Sequence, residues 1–365
     1  MALAEALDNQ GQGKAALDWM VRAAHGGWMP AVARLGLWQL VGHITPQAPA
    51  LGVGRIIQAA QANDPFGLHL AAIVDSGAIG TPRNIARSLF WLARAAQLGD
   101  GRAACQLGVL CGDRKLAHAA LSAAVETGFE PALVALGDRP AIAGPTDWDA
   151  VARAADLSAF AAPVSRVVES ESPRVLSIPD LLPPEICAYV MALAEPALGR
   201  SLVLTDDGTE QARSERSNRV MHFGLVDSDV ILELVNLRVA QAAGMPPENA
   251  EGLGVLHYAP GERYRPHMDY IPDTPENAHQ LAVMGQRVRT LLVYLNDGYE
   301  GGETLFPRLE AGFRPAPGGA LIFDSVTDDG AMDPRTLHEG SPTTSGEKWV
   351  ISKWFRTKAL RPTAS

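Results

Sequence analysis

The sequence has little cysteine. Cys105, Cys111 and Cys187 are the whole complement of 365 residues, an odd number with no Cys-x-x-Cys spacing. Neither a disulfide framework nor a paired-cysteine zinc site is expected, and buried free thiols are the simpler reading. Long apolar runs are missing as well. No stretch of about 18 apolar residues occurs, so no membrane span is expected. The opening MALAEALDNQ lacks a basic stretch leading into an apolar core, so no signal peptide is read there. These absences point to a cytoplasmic protein. Positive charge is also in deficit, with 31 Lys and Arg against 41 Asp and Glu and a formal net charge of −10. Such a surface repels nucleic acid and anionic lipid, and neither is an expected partner. The zinc-protease pattern HExxH is absent too.

What is present is an ordered globular composition, 47% hydrophobic and 20% charged, with 35 Gly and 26 Pro. Folding units usually run to roughly 100–200 residues, so two domains fit the length.

Residues 1–140 repeat themselves. Ala16-Leu17-Asp18-Trp19, Arg22-Ala23-Ala24, Ala31 and Leu35-Gly36 align at an offset of 72 with Ser88-Leu89-Phe90-Trp91, Arg94-Ala95-Ala96, Ala103 and Leu107-Gly108. Half that offset places Ala59-Ala60 on Ala95-Ala96, and a shortened copy carries Ala123-Ala124, Gly128, Ala132 and Leu136-Gly137. This periodicity predicts paired helices that bury their apolar faces only by stacking on neighbours, with small residues permitting close approach. The pattern resembles Sel1-like repeats, relatives of the tetratricopeptide type, although the second copy lacks the Trp. Such a solenoid offers a concave surface for a protein or peptide partner, or a packing shoulder for a second domain. Periodicity does not choose between them.

Proline and glycine break the pattern from 138 to 145, and 141–173 reads as a short helix at 148–155 and a linker at 161–172. Beyond it the texture changes. Helices are expected at 184–193 and 227–243. Short runs rich in β-branched and aromatic residues fall at 253–258, 290–295, 320–323 and 349–355, separated by Gly, Pro and Asp clusters. That is a β-sandwich or barrel texture. The fold class is therefore α+β and multidomain, with a helical repeat at 1–140, a β-rich domain at 174–357 and a tail at 358–365.

Within the β-rich half, His267-Met268-Asp269 follows a strand and a Gly-containing turn. Residues i and i+2 of an extended segment share a face, so one imidazole and one carboxylate can reach the same ion. His338, after the run at 320–323, could supply a third ligand from a second strand. Two imidazoles and one carboxylate on one side of an ion leave coordination positions open, the arrangement of non-haem Fe(II) oxygenases. A His-x-Asp by itself is weak evidence, since most such tripeptides lie on surfaces. Lys348, ten residues after His338, begins a strand and could pair with a carboxylate of a bound dicarboxylate. Alone it would read as a solvated strand-end lysine. Lys353 lies five positions further on and faces the other way on a regular strand.

Several motifs in one order carry a resemblance: residues 178–187 (IPDLLPPEIC), 258–270 (YAPGERYRPHMDY), 287–296 (RVRTLLVYLN), 301–307 (GGETLFP) and 338–342 (HEGSP) through Lys348-Trp349. Residues 174–357 resemble the catalytic domain of the prolyl 4-hydroxylase family. The resemblance implies a double-stranded β-helix, or jelly roll, binding Fe(II), 2-oxoglutarate and O2, with ascorbate as a reductant. It implies iron ligation by His267, Asp269 and His338. It further implies cosubstrate binding by Lys348 with Tyr258 and Thr304, and substrate contacts by Arg287 and Tyr264. Without it, Tyr258 could be a core aromatic, Thr304 a turn hydroxyl and Arg287 a surface cation. The implied activity is hydroxylation of an unactivated C–H bond with release of succinate and CO2, and Asp269 favours hydroxylation over halogenation. A prolyl residue of a protein or peptide is the first substrate expected. A free amino acid or small molecule is the second, and a non-catalytic scaffold is a reading from another class. The polar stretch 273–280 is the expected lid.

Overall fold

The computed structural model describes residues 1–201, 203–204, 210–211 and 216–363. The chain divides into two compact units, one of residues 1–157 with 225–234 and 361–365, the other of 158–224 with 235–360.

Ten helices form most of the first unit: α1 (Ala2–Asn9), α2 (Gly13–His25), α3 (Met29–Val41), α4 (Pro49–Gln61), α5 (Pro65–Gly77), α6 (Ile85–Gln97), α7 (Gly101–Leu110), α8 (Arg114–Glu126), α9 (Pro131–Leu136) and α10 (Trp148–Arg153). Local chemistry sets several starts. The side chains of Asp64, Asn84, Asp100, Asp113 and Asp147 accept backbone N–H bonds at the first turns of α5, α6, α7, α8 and α10, satisfying donors that a helix start leaves unpaired.

The repeated Leu-Gly has a steric cause. A Cβ on Gly36 would lie 2.7 Å from the carbonyl oxygen of Gly52, and one on Gly52 would lie 2.6 Å from that of Gly36, so α3 and α4 touch backbone to backbone. At the equivalent position a Cβ on Gly108 would lie 2.7 Å from Leu121 of α8. The leucines beside them, Leu35 and Leu107, are buried. Trp91 is buried and donates through Nε1 to Asp75 at 3.0 Å, whereas its counterpart Trp19 is 46% exposed. The helical repeat is thus present as expected, but the unit runs past residue 140 to include α10.

The second unit has four more helices, wholly or in part: α11 (Ser158–Ala161), α12 (Pro184–Ala194), α13 (Val230–Ala243) and α14 (Ala278–Met284). Asp229 caps α13 by accepting the N–H of Leu232 at 2.9 Å, so the helix starts three residues after the expected 227.

Among the described residues there are sixteen strands: β1 (Val167–Glu171), β2 (Arg174–Ile178), β3 (Gly199–Arg200), β4 (Val203–Leu204), β5 (Glu210–Gln211), β6 (Arg219–Phe223), β7 (Leu253–Tyr258), β8 (Tyr264–His267), β9 (Arg287–Tyr294), β10 (Tyr299–Gly301), β11 (Thr304–Phe306), β12 (Ala311–Phe313), β13 (Ala320–Asp324), β14 (His338–Gly340), β15 (Thr343–Gly346) and β16 (Lys348–Arg356). The eight-stranded sheet has the order β1-β2-β13-β9-β16-β7-β6-β3, and a four-stranded sheet runs β12-β11-β14-β8.

The expected linker at 161–172 needs correction. Its last residues form β1, which pairs antiparallel with β2 from Val167–Ser177 to Glu171–Arg174. This Val-Val-Glu-Ser-Glu edge strand is exposed along most of its length and lacks the apolar alternation that marks a half-buried strand.

The core of this jelly roll joins both sheets. Tyr294, Leu321, Phe323 and Val350 from the large sheet pack with Phe306 from the small one. Phe306 meets Phe323 edge-to-face at 5.2 Å, an arrangement aromatic rings prefer.

Candidate metal and cosubstrate site

The small sheet aligns the two histidines. β14 pairs antiparallel with β8 so that His338 and His267 stand directly opposite each other, and their rings lie 4.3 Å apart. Each Nδ1 is held by a backbone carbonyl, that of Arg265 at 2.9 Å for His267 and that of Thr336 at 3.0 Å for His338. With Nδ1–H donating, each Nε2 keeps its lone pair for another acid.

Asp269, two residues after His267, completes the trio. Its Oδ1 lies 3.7 Å from His267 Nε2 and its Oδ2 lies 3.6 Å from His338 Nε2. These separations are too long for hydrogen bonds, yet all three donor atoms fall within 4.8 Å of one another. Thr290 Oγ1 donates to Asp269 Oδ2 at 2.6 Å and fixes the carboxylate. Burial, together with His338, pushes the His267 imidazole down to about 3. Burial would raise the Asp269 carboxyl, but the two imidazoles and Thr290 hold it below its ordinary value. The trio offers two imidazole nitrogens and one carboxylate oxygen, a donor set that fits a divalent first-row ion.

Tyr264 and Arg216 support this centre. The Tyr264 ring stacks on His267 at 3.5 Å with 14° between planes, and the Arg216 guanidinium lies over the Tyr264 ring at 4.8 Å.

Lys348 lies at the start of β16 opposite Tyr258 of β7. It is buried and donates to the Gly302 carbonyl at 2.6 Å. Its Nζ sits 5.1 Å from the Tyr258 ring and 5.2 Å from the Tyr294 ring. Burial pulls the amine down to about 7. Lys348, Tyr258, Thr304 and the three metal-type ligands line one cavity. Lys353 faces the opposite way, buried against Asn236 of α13 at 2.7 Å.

Sequence reasoning missed Tyr294, whose hydroxyl meets Thr304 Oγ1 at 2.5 Å. Strand period would have found it, because Thr290 and Tyr294 lie on the same face of β9. The same period on β16 brings Val350, Ser352 and Trp354 to the cavity behind Lys348.

Arg287 lines a wider adjoining cavity of about 750 Å³. Its guanidinium is committed to the wall, donating to both oxygens of Glu251 at 2.6 and 2.8 Å and lying 3.9 Å over the Trp354 ring. Glu251 also accepts from Arg356 at 2.6 Å. The expected lid, 273–280, is a turn-rich segment leading into α14, and only Gln280 of it reaches that cavity.

Comparisons decide the family. Residues 253–356 match the profile of the 2OG-Fe(II) oxygenase superfamily. Prolyl 4-hydroxylase 1 of Arabidopsis thaliana is 39% identical over 207 residues, 53% of this chain and 72% of that protein. The chain belongs to the prolyl 4-hydroxylase family of 2OG-Fe(II) oxygenases. Prolyl 4-hydroxylase 5 of the same plant is 32% identical over 215 residues, again 72% of its length. Among solved structures, the viral collagen prolyl hydroxylase of Paramecium Bursaria Chlorella virus-1 is 24% identical over 49% of this chain and 94% of its own, with a TM-score of 0.39. A Sel1 repeat protein from Oxalobacter formigenes is 21% identical over 37% of this chain and 58% of its own, with a TM-score of 0.34. Membership makes the chain a 2-oxoglutarate-dependent dioxygenase, with Fe(II), 2-oxoglutarate and O2 as the family's reactants. None of the helices among the described residues is long and apolar enough to cross a membrane.

Proposed function

We propose that the enzyme hydroxylates a prolyl residue within a protein or peptide. The observation that carries this reading is a single cavity with an Nε2, Nε2, carboxylate trio at one point of its wall and the buried amine of Lys348 at another. When bound there, Fe(II) with 2-oxoglutarate and O2 supplies an oxidant able to attack an unactivated C–H bond, releasing succinate and CO2.

The protein's share is positioning. His267, Asp269 and His338 hold the metal through side chains already fixed by Arg265, Thr290 and Thr336. Lys348 pairs with the far carboxylate of 2-oxoglutarate, and Tyr258 and Thr304 flank it, Thr304 set in place by Tyr294. Apolar walls from Leu256, Leu292 and Val350 keep water away. Arg287 and Tyr264 border the substrate, Arg287 as part of a rigid wall with Glu251 and Trp354. The adjoining cavity of about 750 Å³ favours a chain segment over a free amino acid.

The repeat helices support a protein-contact surface, since they leave Trp19, Trp28 and Phe90 between 46% and 52% exposed. Cys105 and Cys187 are buried free thiols, which supports a reducing, cytoplasmic setting. Ascorbate is the reductant proposed for keeping the metal ferrous.

The test is mass spectrometry of proline-containing peptides incubated with enzyme, Fe(II) and 2-oxoglutarate. A +16 Da product in step with succinate supports the reading. Succinate formed with free proline as the hydroxylated species would refute it in favour of the small-molecule alternative.

A further inference from the structure

The stretch that follows His267 belongs to no strand. β8 ends at His267 and the next strand, β9, begins at Arg287, yet Met268, Asp269, Tyr270, Ile271 and Pro272 all border the wider cavity. Asp269 turns its carboxylate toward the two imidazoles. One short run of backbone therefore carries a metal-type ligand and a wall of the substrate cavity together. Ile271 is buried, and an irregular buried segment keeps its place only where its N–H and C=O groups find partners.

Gln286 supplies those partners. Its Oε1 accepts the Ile271 N–H at 2.7 Å and its Nε2 donates to the Ile271 carbonyl at 2.7 Å. One side chain thus gives Ile271 the pair of bonds that a neighbouring strand would give. The same Oε1 accepts the N–H of Arg287, a second wall residue, at 2.8 Å. These three bonds fix the carboxamide one way round, because turning it over would set Nε2 against two N–H donors and Oε1 against a carbonyl. The main chain of Gln286 is anchored in its turn just past the end of β16. Its N–H donates to Thr357 Oγ1 at 3.0 Å, and its carbonyl accepts the Thr357 N–H at 2.9 Å. Gln286 lines neither cavity, so it acts only through these neighbours.

We infer that Gln286 is a positioning residue for the peptide substrate, a brace that ties the wall at 270–272 to the wall at Arg287 and keeps both in step with Asp269. This rests on the prolyl-peptide reading above. Thr290 fixes the carboxylate of Asp269, whereas Gln286 fixes the backbone two residues on, where the substrate lies. The far end of 2-oxoglutarate is placed at Lys348, at the opposite end of β16 from the Thr357 anchor. The brace therefore bears on the substrate and leaves the cosubstrate largely alone.

Gln286→Met tests it, since Met keeps a similar volume and loses both bonds to Ile271. In the metal-free, full-length variant, hydrogen exchange at the Ile271 N–H, read by mass spectrometry, should run about tenfold faster than in the wild type, one hydrogen bond being worth about fivefold. Exchange along β13 should stay unchanged, because the opening is local. With Fe(II), 2-oxoglutarate and a proline-containing peptide, KM for the peptide should rise on the order of tenfold, and KM for 2-oxoglutarate should stay within about twofold of wild type. Neither KM depends on the fraction of enzyme that folds. Exchange at Ile271 equal to wild type, or an unchanged peptide KM, overturns the brace. Faster exchange along β13, or a rise in both KM values together, makes Gln286 a prop of the fold at large and overturns it as well. A wild-type enzyme that consumes 2-oxoglutarate and marks no peptide by +16 Da overturns the prolyl-peptide reading and the substrate role with it, while exchange at Ile271 separately reports the clasp.

Discussion

Replacing Lys348 with Met should damage cosubstrate binding and strengthen the empty protein, two effects of opposite sign from one side chain. The ammonium is buried between the Tyr258 and Tyr294 rings with the Gly302 carbonyl as its acceptor, and burial lowers it from 10.5 to about 7. A lysine whose folded value lies below its unfolded one is charged in both states at pH below about 7, and there its desolvation cost is fully present. As pH rises through the folded value toward the unfolded one, the unfolded chain holds the extra proton and the cost is relieved. Each pH unit of depression corresponds to about 1.4 kcal/mol, so the cost at pH 6 amounts to several kcal/mol. Met fills a similar volume without a charge, and Lys348→Met should melt several degrees above wild type at pH 6 when 2-oxoglutarate is absent. The cosubstrate then loses its partner. A buried carboxylate left without its cation costs roughly 3–5 kcal/mol, which raises KM for 2-oxoglutarate by at least ~100-fold. Succinate release measured against 2-oxoglutarate concentration, with calorimetric melting alongside, reads both effects. A variant with unchanged KM would refute the placing of the distal carboxylate at Lys348. A variant that melts lower at pH 6 would refute the account of the buried charge.

Wild-type pH dependence follows from the same amine. KM for 2-oxoglutarate should be flat below about pH 7 and climb above it, up to ~10-fold per unit, because binding must then first protonate the lysine; a KM independent of pH from 6 to 9 counts against this. Thr290→Val removes the hydroxyl that fixes Asp269 and should weaken Mn(II) binding by titration calorimetry ~10–100-fold, as loss of a metal ligand's hydrogen-bond partner does. Tyr294→Phe should raise KM for 2-oxoglutarate by about fivefold through Thr304, the worth of one hydrogen bond of about 1 kcal/mol, while leaving Mn(II) affinity unchanged. Gly52→Ala tests the repeat helices. Alanine gains about 1 kcal/mol in helix propensity, but its Cβ would lie 2.6 Å from the Gly36 carbonyl oxygen and 2.7 Å from Leu40 N. Overpacking against backbone costs about 1–3 kcal/mol, so denaturant melting should show net loss, and a stabilised variant would contradict the backbone contact.

Much of this architecture was legible because it rests on period and sterics. The Leu-Gly and Ala-Ala positions repeat where helices touch, and strands β7, β9, β13 and β16 announce themselves as apolar runs. The metal trio was readable for a different reason. Its ligands use a two-residue strand spacing and a register that sets His338 opposite His267. What stayed hidden depends on tertiary placement. Exposed β1 has no apolar stripe to mark it. Arg216, Glu251 and Trp354 come from separate segments and gain their roles only by meeting Tyr264 and Arg287. The resemblance implies a substrate contact for Arg287, yet two of its five N–H donors are spent on Glu251.

The most direct test of the metal assignment is anomalous diffraction from anaerobic crystals grown with Fe(II) and 2-oxoglutarate. The account predicts one iron within about 2.0–2.2 Å of His267 Nε2, His338 Nε2 and an Asp269 oxygen, with the far carboxylate of 2-oxoglutarate on Lys348 Nζ. An iron that leaves out His338, or a cosubstrate whose far end lies away from Lys348, would contradict it.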